Sequence, residues 1–351
     1  MADPTARDLE IIASVFSKVI NDKGYAFDNI FPKTPVVNYL VARDKMDGDS
    51  LGVNNRIRKL DGGVDIEIPI EYGEGDTMQF FDGMDVITFT PQETTTNAKF
   101  AWAHAVGKLV LDNKDILKVN GDAAKITNFT GSKLRNMAKT MAKGINTALL
   151  ATAPGAKDFH SIPVIVDEAP TSSSTIGGIQ QATSANSWWR NQMHLSTATT
   201  WALLMKEIRN LRNTAAYNSG GDSPDQFLCD QIVYEYVLAW MDAKGTHTFI
   251  DTEMSKMLNM EVKKVEGMNL IWDTGVPLIT SSKSTAYLLN TDYLQFCVHQ
   301  DRMFKVTKPM DLLPGQGQDA TAWAVFLMGQ LTCSNRNKQG VIHGITTTLT
   351  S

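Results

Sequence analysis

Two adjacent tryptophans followed by a cation are the first residues in this chain whose types invite a chemical reading. Trp188-Trp189-Arg190-Asn191-Gln192 closes a polar stretch that opens with Gly177-Gly178. Indole faces can stack on bases, and a neighbouring guanidinium can pair with phosphate. A nucleic-acid platform would also need cations interleaved with aromatics over a wider stretch, and this one has none. Neighbouring side chains face opposite sides of a strand and sit about 100° apart on a helix. One indole is therefore expected in a core and the other at a domain or subunit boundary, with Arg190 fixing the junction.

Other residues with chemical potential fall short of a site. Gly315-Gln316-Gly317 lacks the third glycine of a dinucleotide fingerprint and leads into a strand, so it reads as a turn after Pro314. The histidines at 104, 160, 194, 247, 299 and 343 are scattered without metal-ligand spacing. Cys229, Cys297 and Cys333 are too far apart for a zinc site or a disulfide framework and read as buried thiols. There is no phosphate-binding loop, nucleophile elbow or paired-histidine zinc helix. Asn128-Phe129-Thr130 matches a glycosylation sequon, but no secretory signal accompanies it. No catalytic, cofactor-binding or metal residues are assigned, and the chain is expected not to be an enzyme. Arg56, Arg58 and Lys59 are the densest basic cluster and read as solvated charge or an intersubunit ion pair.

Composition narrows the class. The 351 residues are 43% hydrophobic and 20% charged, enough to build a substantial core. A net charge of −5 argues against a surface that grips nucleic acid everywhere. No apolar run approaches the roughly 20 residues of a membrane span.

The elements that would position these residues follow an unusual order. Asp3-Pro4 and then Leu9, Ile12, Phe16, Val19 and Ile20 predict an amphipathic N-terminal helix that lies on its own domain or on a neighbour. Val64 to Tyr72 alternates strictly, with Ile66, Ile68 and Ile70 on one face, and predicts a half-exposed strand. Pro69 confines it to an edge or bulge. A glycine-rich acidic linker leads to a returning strand at 86–90. A long hairpin of this kind is only marginally stable alone, and a neighbour is expected to support it. The longest helical signal runs over 122–153, through Met137, Met141, Ile145 and Leu149, with Lys133, Arg135, Lys139 and Lys143 between. Helices follow at Trp201–Leu211 and Val233–Met241. Strands are read at 226–229, 268–272, 276–279, 285–289, 301–306, 320–333 and 341–345. Residues 322–328 are apolar at nearly every position, as in a strand buried on both faces.

Trp188-Trp189-Arg190-Asn191 after Gly177-Gly178 resembles a recurring feature of tailed-bacteriophage major capsid proteins. So does a C-terminal cluster: Tyr293-Leu294, Phe296, His299, Phe304, Gln318-Asp319-Ala320, Gly329, Leu331, Cys333-Ser334-Asn335 and Gln339-Gly340-Val341. The order of arm, hairpin and long helix agrees. The resemblance implies the α+β fold of the Hong Kong 97 phage shell protein. It assigns an N-terminal arm to 1–35 and an extended E-loop with flanking strands to 36–110. The peripheral domain with its spine helix takes 111–190 and 291–351, and the axial domain 191–290. It implies many copies in hexamers and pentamers of an icosahedral head, formed in the host cytoplasm. The shell would enclose double-stranded DNA without sequence-specific binding, alongside scaffolding, portal and decoration proteins and without cofactor or membrane. Lys45 and Lys59 lie near the hairpin, but no surroundings for a Lys–Asn crosslink are visible, and none is expected. The interface candidates are Trp188, Trp189, Arg190, Arg56, Arg58, Lys59, Phe16, Ile66 and Ile68. The alternatives are an encapsulin-like compartment shell, or an enzyme whose site is too diffuse to read.

Overall fold

Long-range strand pairing organises this chain, and its first and last thirds meet in one sheet. The computed structural model describes residues 57–73, 78, 80–86, 93–114, 123–218, 221–244, 262–276, 283–308, 310–313 and 317–350. Phe16, Lys45, Arg56 and the N-terminal helix lie outside the described residues, as do positions 87–90 of the expected returning strand.

The N-terminal strands are β1 (Ile57–Leu60), β2 (Asp65–Glu71), β3 (Thr95–Ala101) and β4 (Ala103–Asp112). Helix α1 (Ala123–Leu150) and the single turn α2 (Ile162–Ile165) follow. Next come the short pair β5 (Thr175–Ile176) and β6 (Ile179–Gln180), a 3₁₀ segment at Ser184–Trp189, and β7 (Gln192–Leu195). The middle of the chain holds α3 (Trp201–Asn218), β8 (Gln226–Cys229), α4 (Gln231–Lys244), β9 (Lys263–Val265), β10 (Met268–Trp272) and β11 (Lys283–Leu289). The end supplies β12 (Leu294–His299), β13 (Lys305–Val306), β14 (Met310–Asp311), β15 (Ala320–Cys333) and β16 (Gly340–Thr346).

The apolar run at 320–333 forms one strand, β15, as its composition predicts. β4 lies antiparallel along one edge, from Ala320 opposite Asp112 to Gly329 opposite Ala103. The other edge is shared in sequence by β14, β13 and β12, and β1 joins β12 in parallel. Gly329 stands where strands crowd on both sides: a Cβ there would meet the Cys297 carbonyl oxygen at 2.6 Å. α1 packs on the face of this sheet through Ala142, Ile145 and Leu149, beside Phe159 and Ile162.

A second sheet has the order β7-β16-β11-β8-β10-β9. α3 and α4 cover one face through Leu204, Ile208, Val233 and Val237. The opposite face, with Leu228, Tyr287 and Val341, joins the core under α1.

Three sequence expectations need correction. The segment 301–306 is not one strand: a 3₁₀ turn occupies Gln300–Arg302, and Phe304 at φ 51° breaks the extended path before β13. Val276 lies in a bend, and positions 277–279 of the strand read there lie outside the described residues. The partner of β2 is β3, in full register from Asp65–Ala101 to Glu71–Thr95, later than the 86–90 read from sequence. β3 reads TTNAKFA, and only Ala98 and Phe100 on its inner face are buried. That polarity hid it from hydropathy.

Candidate functional site

The β2–β3 hairpin has two unlike ends. At its root, Ile66, Ile68, Ile70, Ala98 and Phe100 are buried against Ile176, Trp189 and Cys297, with Leu60, Trp102 and Trp188 at the margin. The seat is thus the protein's own chain, which corrects the expectation that the root needs a neighbour. The alternation does the work: Glu67, Pro69 and Glu71 face solvent while the isoleucines face Trp189. Lys99 pairs with Glu67 at 3.1 Å on the exposed side, a contact worth less than about 1 kcal/mol.

The Gly177-Gly178 pair is a tight turn joining β5 to β6. Both residues have positive φ, 62° and 76°, which glycine alone adopts without strain. Gly177 is also pressed against the hairpin: an added Cβ would lie 3.1 Å from Ala98 Cβ and 3.4 Å from Trp189. Its carbonyl accepts from the Lys99 backbone N–H at 2.9 Å, so the turn adds a main-chain bond to β3.

The tryptophans divide the labour. Trp189 is 1% exposed, and its indole N–H donates to the Ile176 carbonyl at 3.0 Å. Trp188 is half-buried and stacks on Tyr72, centroids 4.9 Å apart, at the end of β2. Arg190 donates to the carbonyls of Gln181, Ala182 and Thr183 and closes the loop leading into the 3₁₀ segment. Arg58 and Lys59 are exposed on β1 and do not join this cluster.

The residue at the centre of the joint is one that sequence reasoning missed. Arg336, in the turn between β15 and β16, is fully buried. Its Nε donates to the Ile165 carbonyl at 2.6 Å. Nη1 donates to Gln181 Oε1 at 3.0 Å and the Trp189 carbonyl at 3.3 Å, and Nη2 to Asn191 Oδ1 at 3.1 Å. The guanidinium carbon lies 5.8 Å from the Trp189 ring centre. Burial lowers its pKa to about 10, while Cys333 and Asp167 act in the opposite direction. It remains charged at neutral pH. Asp167 organises the acceptors: its carboxylate takes the Gln181 amide at 2.7 Å, and its backbone carbonyl takes Asn191 Nδ2 at 2.8 Å. One arginine thus ties together the segments at 165, 181, 189 and 191. The only sequence signal was a polar turn, CSNRNKQG, in which this arginine looks like any solvated cation.

Lys338 and His160 make two further contacts, one polar and one between rings. Lys338 Nζ donates to Asp222 Oδ2 at 2.6 Å and to Tyr293 Oη at 2.5 Å, and the tyrosine hydroxyl donates to the same carboxylate oxygen at 2.6 Å. The Lys338 hydrogen bond is the largest influence holding the Asp222 carboxyl below its usual range. His160 packs edge-on against Phe100 of the root, centroids 5.7 Å apart, and burial lowers its pKa.

The far end of the hairpin is the reverse of the root. Met78, Phe80, Phe81, Met84 and Val86 are all exposed, Phe80 to 86% and Met84 to 99%. Five large apolar side chains within nine residues form a sticky tip on a stalk. Among the described residues, no group of three or more His, Cys, Asp and Glu could hold a metal ion. No helix among them is long and apolar enough to cross a membrane. The three thiols are buried, and burial raises the pKa of each, that of Cys333 to about 12.

No protein-family model and no curated relative matches the sequence. Solved structures do match. A chain of the cyanophage A-1(L) capsid asymmetric unit superposes with a TM-score of 0.65 at 16% identity, over 90% of this chain and 94% of that one. The capsid of the Myoviridae phage XM1 gives 0.52 at 9% identity, over 82% and 90%. The SrpI encapsulin complex from Synechococcus elongatus PCC 7942 gives 0.50 at 11% identity, over 73% and 78%. The fold is therefore the α+β architecture found in phage capsids and encapsulin shells, resembling the Hong Kong 97 type.

Proposed function

We propose that this chain is the structural subunit of a closed protein shell of the phage-capsid kind, and not an enzyme. Many copies assemble into hexamers and pentamers of an icosahedral head around double-stranded DNA, with scaffolding, portal and decoration proteins as partners and no membrane or cofactor. The observation that carries this reading is the hairpin's polarity, a root sealed into the subunit and a tip that exposes Phe80, Phe81 and Met84. A monomer has no use for such a tip, because contiguous exposed apolar residues mark contact sites or aggregation liabilities. On a subunit of a ring, the tip reaches a different surface of the next copy, and head-to-tail contacts of this sort close on rotation. Multivalency then makes the closed assembly far more stable than one contact.

The match to the cyanophage capsid chain over 90% of this chain, against 73% for the encapsulin, favours the phage reading over a compartment shell. Negative-stain electron microscopy of the purified chain, alone and with candidate scaffolding proteins, tests it. Hollow shells or ring-shaped capsomers are expected. A persistent monomer across all conditions would overturn it, and shells that purify with an enzyme cargo instead of DNA would favour the compartment.

A further inference from the structure

Helix α1 has a one-sided charge balance. Ala123–Leu150 contains Lys125, Lys133, Arg135, Lys139 and Lys143 and no Asp or Glu. Since the whole chain carries −5 and this helix +5, the remainder carries −10. Exposed helices usually interleave both signs as i,i+4 pairs, so a 28-residue helix without a single carboxylate is an exception within an acidic chain.

The exposed side of the helix is built from that bias. At about 100° per residue, Asn136, Lys139, Thr140 and Lys143 fall within one sector, and all four are exposed. The stripe offers amines and an amide, and the Thr140 hydroxyl is turned back onto the Asn136 carbonyl at 2.9 Å. No apolar side chain interrupts it. Lys133, about 20° beyond Thr140 around the helix axis and also exposed, lines a cleft of about 750 Å³ between α1 and β4. Lys108, Lys157 and His104 line the same cleft and are exposed. Its one carboxylate, Asp158, already accepts from the Gly155 backbone N–H at 2.8 Å. Among the described residues, no carboxylate lies within ion-pair distance of Lys108, Lys139, Lys143 or Lys157.

The chemistry of the stripe selects its partner. An acidic protein surface is usually recognised with apolar anchors beside the charges; the helix stripe has none, and the exposed Val106 and Val110 of the cleft lie on β4 beside Lys108. A phosphodiester backbone offers evenly spaced charge and asks only for exposed, flexible cations. We propose that this face of α1, with Lys108 and Lys157 at the cleft, contacts the phosphates of a nucleic-acid duplex without reading its sequence. This deepens the shell reading and rests on it for the source of the duplex. The acidic remainder repels the same polymer, which confines contact to this one face and keeps it loose.

The test is fluorescence anisotropy of the full chain with 20-base-pair duplexes of two unrelated sequences, from 25 to 200 mM salt. Equal affinity for both duplexes is expected, falling steeply with salt. The Lys108→Gln, Lys139→Gln, Lys143→Gln triple variant is expected to weaken binding at least tenfold at 50 mM and to lower the log–log salt slope by about 3. The matching Lys→Arg triple variant keeps the charge and retains binding, which separates lost contacts from lost folding. Lys244→Gln, Lys283→Gln, Lys305→Gln is expected to stay within twofold of the unaltered chain. Absence of binding at 25 mM salt overturns the proposal. So does an equal loss in the two Gln triples, or poly-glutamate binding as tightly as duplex. Shells without DNA affinity defeat this inference and leave the shell reading intact, whereas a chain that binds DNA but never assembles defeats the shell reading.

Discussion

The root and the tip of one hairpin are made from similar amounts of apolar side chain and have opposite fates. At the root, Ile66, Ile68 and Phe100 disappear beneath Trp189; at the tip, Phe80, Phe81 and Met84 stand in solvent. The difference lies in what the rest of the chain brings to each. The root meets the Gly177-Gly178 turn, the 3₁₀ segment and, behind them, Arg336. Among the described residues, no core cluster includes the tip. Buried apolar surface is thus concentrated at one end of the stalk and exposed apolar surface at the other, so substitutions should separate the two.

The largest effects are expected behind the root. Arg336→Ala leaves the carbonyls of Ile165 and Trp189 and the side-chain oxygens of Gln181 and Asn191 without their donor. Breaking a buried, hydrogen-bonded charge costs about 3–5 kcal/mol, which urea unfolding would read as a lowered midpoint. A shift below 1 kcal/mol would mean the joint is not held by this residue. Trp189→Ala removes the wall of the seat and is expected to cost about 3–5 kcal/mol; protease cutting within the hairpin should accelerate with it. Trp188→Ala loses an offset stack on Tyr72 that is half in solvent, and about 1 kcal/mol is expected. A loss as large as that of Trp189→Ala would erase the distinction between the two indoles.

Acid should loosen the root before the tip matters. Burial lowers the His160 pKa from its usual 6.5, so the folded chain binds fewer protons there than the unfolded one. Stability is therefore full above that value and declines as pH falls below 6.5 toward the lowered folded pKa. Asp222, also held low, adds its own loss only as pH drops below about 3.8. Thermal melts between pH 7 and 4.5 should show the first decline, and His160→Gln should flatten it. The smallest stability effect belongs to the tip: Phe80→Ser with Phe81→Ser is expected to change unfolding by less than about 0.5 kcal/mol and to abolish assembly in electron micrographs. A destabilised monomer, or unimpaired shells, would break the comparison.

Local patterns carried much of this fold in the sequence. Residues 320–333 and 226–229 coincide with β15 and β8, and the helix read at 122–153 is α1 at 123–150. Each is marked by its own composition or period: unbroken apolar runs in the strands and three- and four-residue steps in the helix. β3 and β4 were harder to see because their stability comes from partners: β3 is legible only beside β2, and β4 only beside a strand some two hundred residues away. The joint was half legible. Trp188 and Trp189 announced a junction by adjacency alone. Arg336 gave no sign, since a buried guanidinium is defined by acceptors at 165, 181, 189 and 191. The cluster compared with capsid proteins, Cys333-Ser334-Asn335 and Gln339-Gly340-Val341, brackets the arginine without including it.

The pairing of β4 with β15 has a temporal consequence. Asp112 meets Ala320 and Ile57 meets Phe296, so the first sheet cannot close until nearly the whole chain has left the ribosome. Contacts this distant in sequence slow folding and leave strands waiting. A polypeptide released early holds β4 unpaired, and the joint lacks Arg336 to lock the root. Such a fragment cannot present its tip on a rigid stalk. The architecture thereby makes an incomplete chain fail at the first sheet, before the hairpin has a firm seat.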